Sequence, residues 1–221
     1  MKSLEYAMKL CLVTNMKQES FEEYSKMVVK AVKGGVTMVQ LRDKHLSKEE
    51  YRHRAKLFKK VLLPFKVAFM LNNHVDIAKE IDADGVHIGQ RDMDPESARK
   101  ILGKDKIIGL SIETEYELEI ANKMSWVDYV AASAVLPSRT KTDCRRLWGI
   151  EGLRGFVENS RHPVMAIGGI KQYNIDQIMQ TGINGVAVIG AITDAIDPKE
   201  ASSQLRQVID QYNCKIRAVS L

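Results

Sequence analysis

The chain has 221 residues, of which 45% are hydrophobic and 28% charged, and a formal net charge of +5. That composition supplies the core of one large domain and excludes a disordered chain. Apolar runs such as Ala131 to Leu136 fall far short of the about 20 residues a membrane helix needs, and the basic residues are spread along the chain without interleaved aromatics, which argues against a nucleic-acid surface.

The pattern along the chain alternates short β-branched runs with longer amphipathic ones. Lys9–Thr14 reads as a first strand; Phe21, Tyr24, Met27, Val28 and Ala31 then recur at helical spacing, and Gly34–Gly35 ends that helix. Thr37–Arg42 is a second strand, after which Ser47 caps a helix with Glu50 three residues on. Strands at Val67–Leu71, Gly85–Ile88 and Lys106–Leu110 lead into helices near Asp76–Ile81, from Pro95 and over Glu115–Lys123. Strands at Val127–Ala132, Val164–Ile167 and Gly185–Ile189 lead into helices over Ile150–Asn159, around Asn174–Thr181 and from Pro198 to Tyr212.

Strict alternation with continuous apolar strands predicts a parallel sheet buried on both faces. Eight such units, no linker rich in Pro, Gly or Ser, and no Gly-rich dinucleotide loop after Val13 predict an α/β fold, one (β/α)8 TIM barrel spanning residues 1–221. Met1 to Val13 shows no secretion signal, and Cys11, Cys144 and Cys214 form no CxxC pair, so a reducing, cytoplasmic setting is expected.

In such barrels the chemistry sits at the C-terminal ends of the strands. Strand two ends in Gln40-Leu41-Arg42-Asp43-Lys44, and alternation turns Gln40, Arg42 and Lys44 to one side. An amide and two cations suit a diphosphate; the alternative is a surface ion-pair patch with Asp43. Strand three ends in Asn72-Asn73-His74. Asp92, beyond strand four, is either a Mg²⁺ ligand or the cap of the helix beginning near Pro95. His87 reads more readily as a packed, hydrogen-bonded histidine than as a base, and His74 and His45 match no metal motif.

Strand five leaves Ser111 at the mouth, and the loop after strand six carries Ser138, Arg139, Thr140 and Lys141, able to wrap an anion or simply a surface loop. Gly168-Gly169 ends strand seven, and Ile189-Gly190 leads strand eight towards a helix start. The two glycine sites, one βα unit apart, favour a phosphate cradle over plain turns.

Four stretches together resemble the thiamine phosphate synthase family: Gln40 to Lys44, Ala83 to Gln90, Pro137 to Lys141 and Ala166 to Ile170. The resemblance extends over nearly the whole chain and implies a transferase of thiamine biosynthesis that joins an aminopyrimidine methyl diphosphate to a thiazole phosphate, releasing pyrophosphate. It implies that Gln40, Arg42, Lys44, Asn72, Ser111 and Lys141 bind the pyrimidine diphosphate. Ser138, Arg139 and Thr140 with Gly168, Ile189 and Gly190 would hold the thiazole phosphate, and Asp92 and Asn73 the cofactor Mg²⁺. The partners expected are therefore phosphorylated small molecules, with no nucleic acid and no membrane; homo-oligomerisation stays open.

The chain departs from the family pattern at Asn73, usually Asp, at Ala131-Ala132-Ser133-Ala134, usually glycine-bearing, at Ser138, usually Thr, and at Gly190, usually Ser. A related thiazole tautomerase would carry a His after strand five, where this chain has Ser111-Ile112-Glu113-Thr114. A barrel that binds a phosphorylated metabolite without turnover remains a further alternative.

Overall fold

The computed structural model describes residues 3–138 and 145–219, with side chains as far as residue 212. Eight parallel strands close into a barrel in chain order: β1 (Leu10–Val13), β2 (Met38–Leu41), β3 (Ala68–Asn72), β4 (Gly85–Ile88), β5 (Ile107–Ile112), β6 (Tyr129–Ser133), β7 (Val164–Ile167) and β8 (Gly185–Val188). Closure is made by β8 on β1, with Leu12 opposite Val188. Around the barrel run α2 (Phe21–Lys33), α3 (Lys48–Leu62), α4 (Val75–Glu80), α5 (Pro95–Leu102), α6 (Glu115–Ala121), α7 (Gly149–Asn159), α8 (Ile175–Met179) and α9 (Pro198–Val219). The expected cap is present, with Ser47 and Glu50 forming a reciprocal capping box, and Ser20 and Glu23 form a second, unanticipated one.

One helix was not anticipated. Leu4–Met8 forms α1, too short for a periodic signal, and its Ala7 and Met8 close the bottom of the barrel interior. It is held there by Lys9, whose Nζ lies 2.6 Å from Asp210 on α9, and by Arg206 stacked 5.2 Å over the Tyr6 ring.

The two faces of the strands carry different chemistry. Outward positions such as Leu12, Val39, Leu71, Val86, Ile108, Val130, Ala166 and Val186 join one apolar shell beneath the helices. Inward positions are filled by Cys11, Met38, Met70, Tyr129, Ala131, Met165 and Ala187, a second, smaller cluster. The register pairs inward residue with inward residue, Cys11 with Met38 and Met38 with Ala68. Continued upward, the same parity delivers Gln40, Asn72, His87, Ser111 and Ser133 at the C-terminal end.

At the opposite rim, the residue before each even-numbered strand is polar, and each uses its side chain in the same way. Thr37 Oγ1 accepts from Leu10 N at 2.9 Å, and Asp84 Oδ2 from Phe69 N at 2.8 Å. Asp128 Oδ2 accepts from Ile108 N at 2.7 Å, and Asn184 Oδ1 from Val164 N at 2.7 Å. Each of these four N–H groups near the start of an odd strand is thereby given a side-chain acceptor. The strands close tightly here, for a Cβ on Gly85 would stand 2.0 Å from Ile107 O and one on Gly185 2.0 Å from Met8 O. Thr37 is almost fully buried and also donates to Ala7 O at 3.0 Å. Replacing it with the near-isosteric valine (Thr37→Val) strands the Leu10 N–H and should cost about 1–3 kcal/mol, read as a lower urea midpoint at unchanged slope. An unchanged midpoint would refute the clamp.

Candidate active site

The C-terminal ends of the strands surround a cavity of about 1060 Å³. Every described residue of the expected site lines it: Gln40, Arg42, Lys44, Asn72, Asn73, Asp92, Ser111, Ser138, Gly168, Ile189 and Gly190. Arg139, Thr140 and Lys141 lie outside the described residues.

The cationic side is built by β1, β2 and α3. Thr14, buried at the end of β1, accepts from Arg42 N at 3.0 Å through Oγ1, and its own N–H donates to Gln40 O at 2.9 Å. Tyr51 of α3 donates to Leu41 O at 2.7 Å and accepts from Asn72 N at 3.2 Å, tying the ends of β2 and β3 together. The ion-pair patch around Asp43 takes a different form from the one considered from sequence. Asp43 pairs with Arg54 of α3 at 2.5 Å, which leaves it out of the cavity's charge balance. Among the described residues the Arg42 guanidinium has no ion pair or hydrogen bond, so its donors point into the cavity uncommitted.

Asp92 does not cap the helix near Pro95. That task falls to Asp94, whose side chain accepts from Ser97 N at 3.0 Å. Asp92 folds back instead, with Oδ2 accepting from Gly89 N at 2.7 Å and Oδ1 from Asn73 Nδ2 at 3.2 Å. Asn73 takes up φ 53°, a left-handed conformation that Asn tolerates, and its N–H is held by His87 O at 2.9 Å. Its Oδ1 accepts from Asn72 Nδ2 at 3.0 Å. One carboxylate and one amide oxygen are hard donors, a sparse set of the kind Mg²⁺ uses when substrate phosphates complete its shell.

His87 is a packed histidine in the expected sense. Its Nδ1 lies 2.9 Å from the Tyr129 hydroxyl and its Nε2 2.8 Å from Ser111 Oγ. Burial holds the Tyr129 hydroxyl well above the usual phenol range, so it remains protonated. The chain Tyr129–His87–Ser111 therefore orients the Ser111 hydroxyl on the cavity floor, while Gln90 Nε2 donates to Ser111 O at 2.7 Å. Cys11 lies buried beneath this floor with its thiol pushed up to about 12 by desolvation, which removes it as a nucleophile. His74 stacks 4.0 Å from the Tyr51 ring, and burial lowers its pKa.

The opposite side is made of backbone. Gly168 and Gly169 have φ of 106° and 67°, and a Cβ on either would come within 2.5 to 2.6 Å of Ala134 or Leu136. Glycine is needed there for conformation and for close approach to the β6 segment. Gly190 differs, since its φ is not positive. The helix start expected after β8 is likewise a run of turns, with Ile192 N and Thr193 N both donating to Ile189 O, and α9 begins only at Pro198. Among the described residues the N–H groups of Gly168, Gly169, Gly190 and Ala191 have no acceptor, which leaves four donors at one end of the cavity. Ala131, Ser133 and Ala134 line the wall between the two sides, whereas Ala132 faces the outer shell.

Lys171, Tyr173 and Asp194 also line the cavity and were missed from sequence. Each lies several residues past a strand end, beyond the glycines that mark it.

A (β/α)8 barrel whose mouth holds, among the described residues, an uncommitted Arg42 guanidinium and a row of free backbone donors defines an enzyme of phosphorylated small molecules. A family model described as thiamine monophosphate synthase matches residues 10–192. The chain is 44% identical over 199 residues to a thiamine-phosphate synthase of Vibrio campbellii, covering 90% of this chain and 97% of that protein. It is 39% identical over 203 residues to one of Chlamydia abortus, covering 92% and 95%. Among solved structures, a thiamine phosphate pyrophosphorylase from Pyrococcus furiosus superposes with TM-score 0.85 at 34% identity, covering 95% of this chain and 99% of that one. A 3-hexulose-6-phosphate synthase, TM-score 0.71 at 19% identity over 91% of this chain and 99% of that one, shares the fold. The chain belongs to the thiamine monophosphate synthase family.

Removing the imidazole (His87→Leu) should destabilise the protein by about 1–3 kcal/mol, because the Tyr129 hydroxyl is left buried without a partner. Adding Tyr129→Phe should recover part of that loss, so the double variant costs less than the two singles together. Strict additivity in urea titrations would show that the two groups are not coupled.

Proposed function

We propose that this chain condenses 4-amino-2-methyl-5-(diphosphooxymethyl)pyrimidine with 4-methyl-5-(2-phosphooxyethyl)thiazole to thiamine phosphate and pyrophosphate. The observation that carries this is the division of one cavity, in a chain of this family, into a side with Arg42 and Lys44 and a side of free backbone N–H groups. Two substrates with one anionic end each call for two such sides.

In this reading Gln40, Asn72 and Ser111 hold the aminopyrimidine, with Ser111 fixed from below by His87. Arg42, Lys44 and Lys141 bind the diphosphate oxygens. Ser138, Arg139, Thr140, Gly168, Ile189 and Gly190 hold the thiazole phosphate and aim the ring nitrogen across the cavity. The bond between the pyrimidine methylene carbon and the diphosphate oxygen breaks, its electron pair leaves with pyrophosphate, and the thiazole nitrogen forms the new bond to that carbon. The protein's part is positioning and stabilisation of the departing charge, which needs no side-chain nucleophile.

Asp92 and Asn73 are the residues that would hold Mg²⁺, which supplies charge neutralisation on the pyrophosphate. No helix among the described residues is long and apolar enough to cross a membrane, in keeping with freely diffusing substrates and a cytoplasmic setting.

The test is pyrophosphate release from purified protein across a Mg²⁺ titration. Release that requires both substrates and metal is expected; a folded protein that releases none at saturating Mg²⁺ would rule the reading out. Lys44→Ala should lower kcat/KM by at least about tenfold, the scale of one charge-assisted contact, while the melting temperature stays close to that of the parent. Asn73→Asp should lower the Mg²⁺ concentration for half-maximal rate, since a charged ligand replaces a neutral one; an unchanged requirement would remove position 73 from the metal site.

A further inference from the structure

The charged groups nearest the β8 turn are Lys171 and Asp194. A Cβ on Gly190 would stand 2.4 Å from Asp194 Oδ2 and 3.3 Å from Lys171 Nζ. Because the φ of Gly190 is not positive, what the glycine provides is volume. The ammonium and the carboxylate use the space a side chain at 190 would fill.

Lys171 is fixed by its backbone and free at its tip. Its N–H donates to Asn174 Oδ1 at 2.8 Å, and its carbonyl accepts from Asn174 N and Ile175 N, both at 3.1 Å. Asn174, buried, also donates through Nδ2 to Gly169 O at 3.0 Å, so one side chain binds the glycine turn and Lys171 into a single unit. The lysine is half-buried and lines the cavity, yet among the described residues its ammonium has no ion pair or hydrogen bond. Asp194 is exposed, and its Oδ1 accepts from Thr193 Oγ1 at 3.2 Å. A half-buried cation that makes no ion pair among the described residues, with Asp194 near it but not in contact, next to the free N–H groups of Gly168, Gly169, Gly190 and Ala191, is a place for a dianion.

We propose that Lys171 is a specificity-determining ligand of the phosphate monoester bound at the β7 and β8 turns, and that Asp194 opposes it with a like charge to the phosphate. The inference rests on the synthase reading for the identity of that monoester, the thiazole phosphate. Lys171 then separates the phosphorylated thiazole from the free thiazole alcohol, because its charge acts on the phosphate alone. The backbone donors serve any oxygen, whereas the ammonium adds affinity in proportion to negative charge.

The experiment combines direct binding with kinetics on Lys171→Met, with Lys171→Arg as the charge-keeping control. Equilibrium titration of thiazole phosphate, without the diphosphate substrate, should give a Kd raised about 10- to 100-fold in Lys171→Met, the scale of a hydrogen bond to a charged group. Affinity for the thiazole alcohol should be unchanged, and Lys171→Arg should retain most of the phosphate affinity. In turnover the KM for thiazole phosphate should rise by a similar factor while the KM for the pyrimidine diphosphate stays constant. Asp194→Asn should tighten thiazole phosphate by up to about fivefold, by removing a like charge near an exposed site; weaker binding would overturn the role given to Asp194. Equal loss for phosphate and alcohol, or no loss, in a Lys171→Met protein that still turns over would sink the assignment of Lys171 and leave the synthase reading standing. A parent protein without turnover, whose thiazole phosphate affinity still depends on Lys171, would instead sink the synthase reading and uphold the contact.

Discussion

The register of the barrel rests on four short side chains at the rim farthest from the chemistry. Thr37, Asp84, Asp128 and Asn184 each accept the N–H of a neighbouring odd strand at 2.7 to 2.9 Å. A slip of one residue in any strand would exchange its inward and outward faces. Gln40, His87 and Ser111 would then enter the apolar shell under the helices, while Val39, Ile88 and Leu110 would enter the cavity. The clamps resist that slip because each buried N–H has an acceptor in one register only. Gly85 and Gly185 add a steric term, since neighbouring carbonyls lie where any Cβ would be. Asp128 is tied further by Arg99 at 2.6 Å, which links the β5–β6 seam to α5.

Above that rim the barrel interior changes character within two residues of chain. Met38, Met70 and Met165 fill an irregular space with flexible, polarisable side chains. Tyr129 ends this apolar layer, and its hydroxyl begins the polar one by bonding His87, which in turn bonds Ser111. A dry floor beneath polar walls strengthens every charge interaction in the cavity. Among the described residues Arg42 faces it without a partner, because Thr14 holds its backbone and Asp43 is taken by Arg54. The arrangement for anions is thus already made before a ligand arrives, and little reorganisation is needed on binding.

Periodicity made most of the frame legible. The eight strands, the capping box at Ser47 and the polar strand ends all follow from alternation and cap chemistry, with strand boundaries off by at most one or two residues. The helix α1 escaped because five residues give no period. Asp92 and Asp94 both precede Pro95, and only the coordinates show that Asp94 caps the helix while Asp92 turns back to Gly89 N. The rim clamps went unread because one polar residue before a strand looks like ordinary turn composition. Lys171 was missed for a related reason: its place over Gly190 depends on two consecutive βα loops meeting in space, a contact with no local signature.

Asn73 shows how a single amide changes the economy of the anionic corner. Its backbone is pinned by His87 O, and its Nδ2 donates to the Asp92 oxygen 3.2 Å away. A carboxylate at 73 would face Asp92 at that distance, and two like charges so close disfavour each other's ionisation unless a cation lies between them. With asparagine the corner is satisfied by itself, as donor meets acceptor and Asp92 keeps Gly89 N as its second partner. Turning the amide oxygen inward to a cation would break the bond to Asp92, at the low end of the about 1.5–3 kcal/mol of a hydrogen bond to a charged group, and the bond from Asn72 Nδ2 as well. The corner is therefore ordered without metal, and any cation would have to displace that hydrogen bond to reach the amide oxygen.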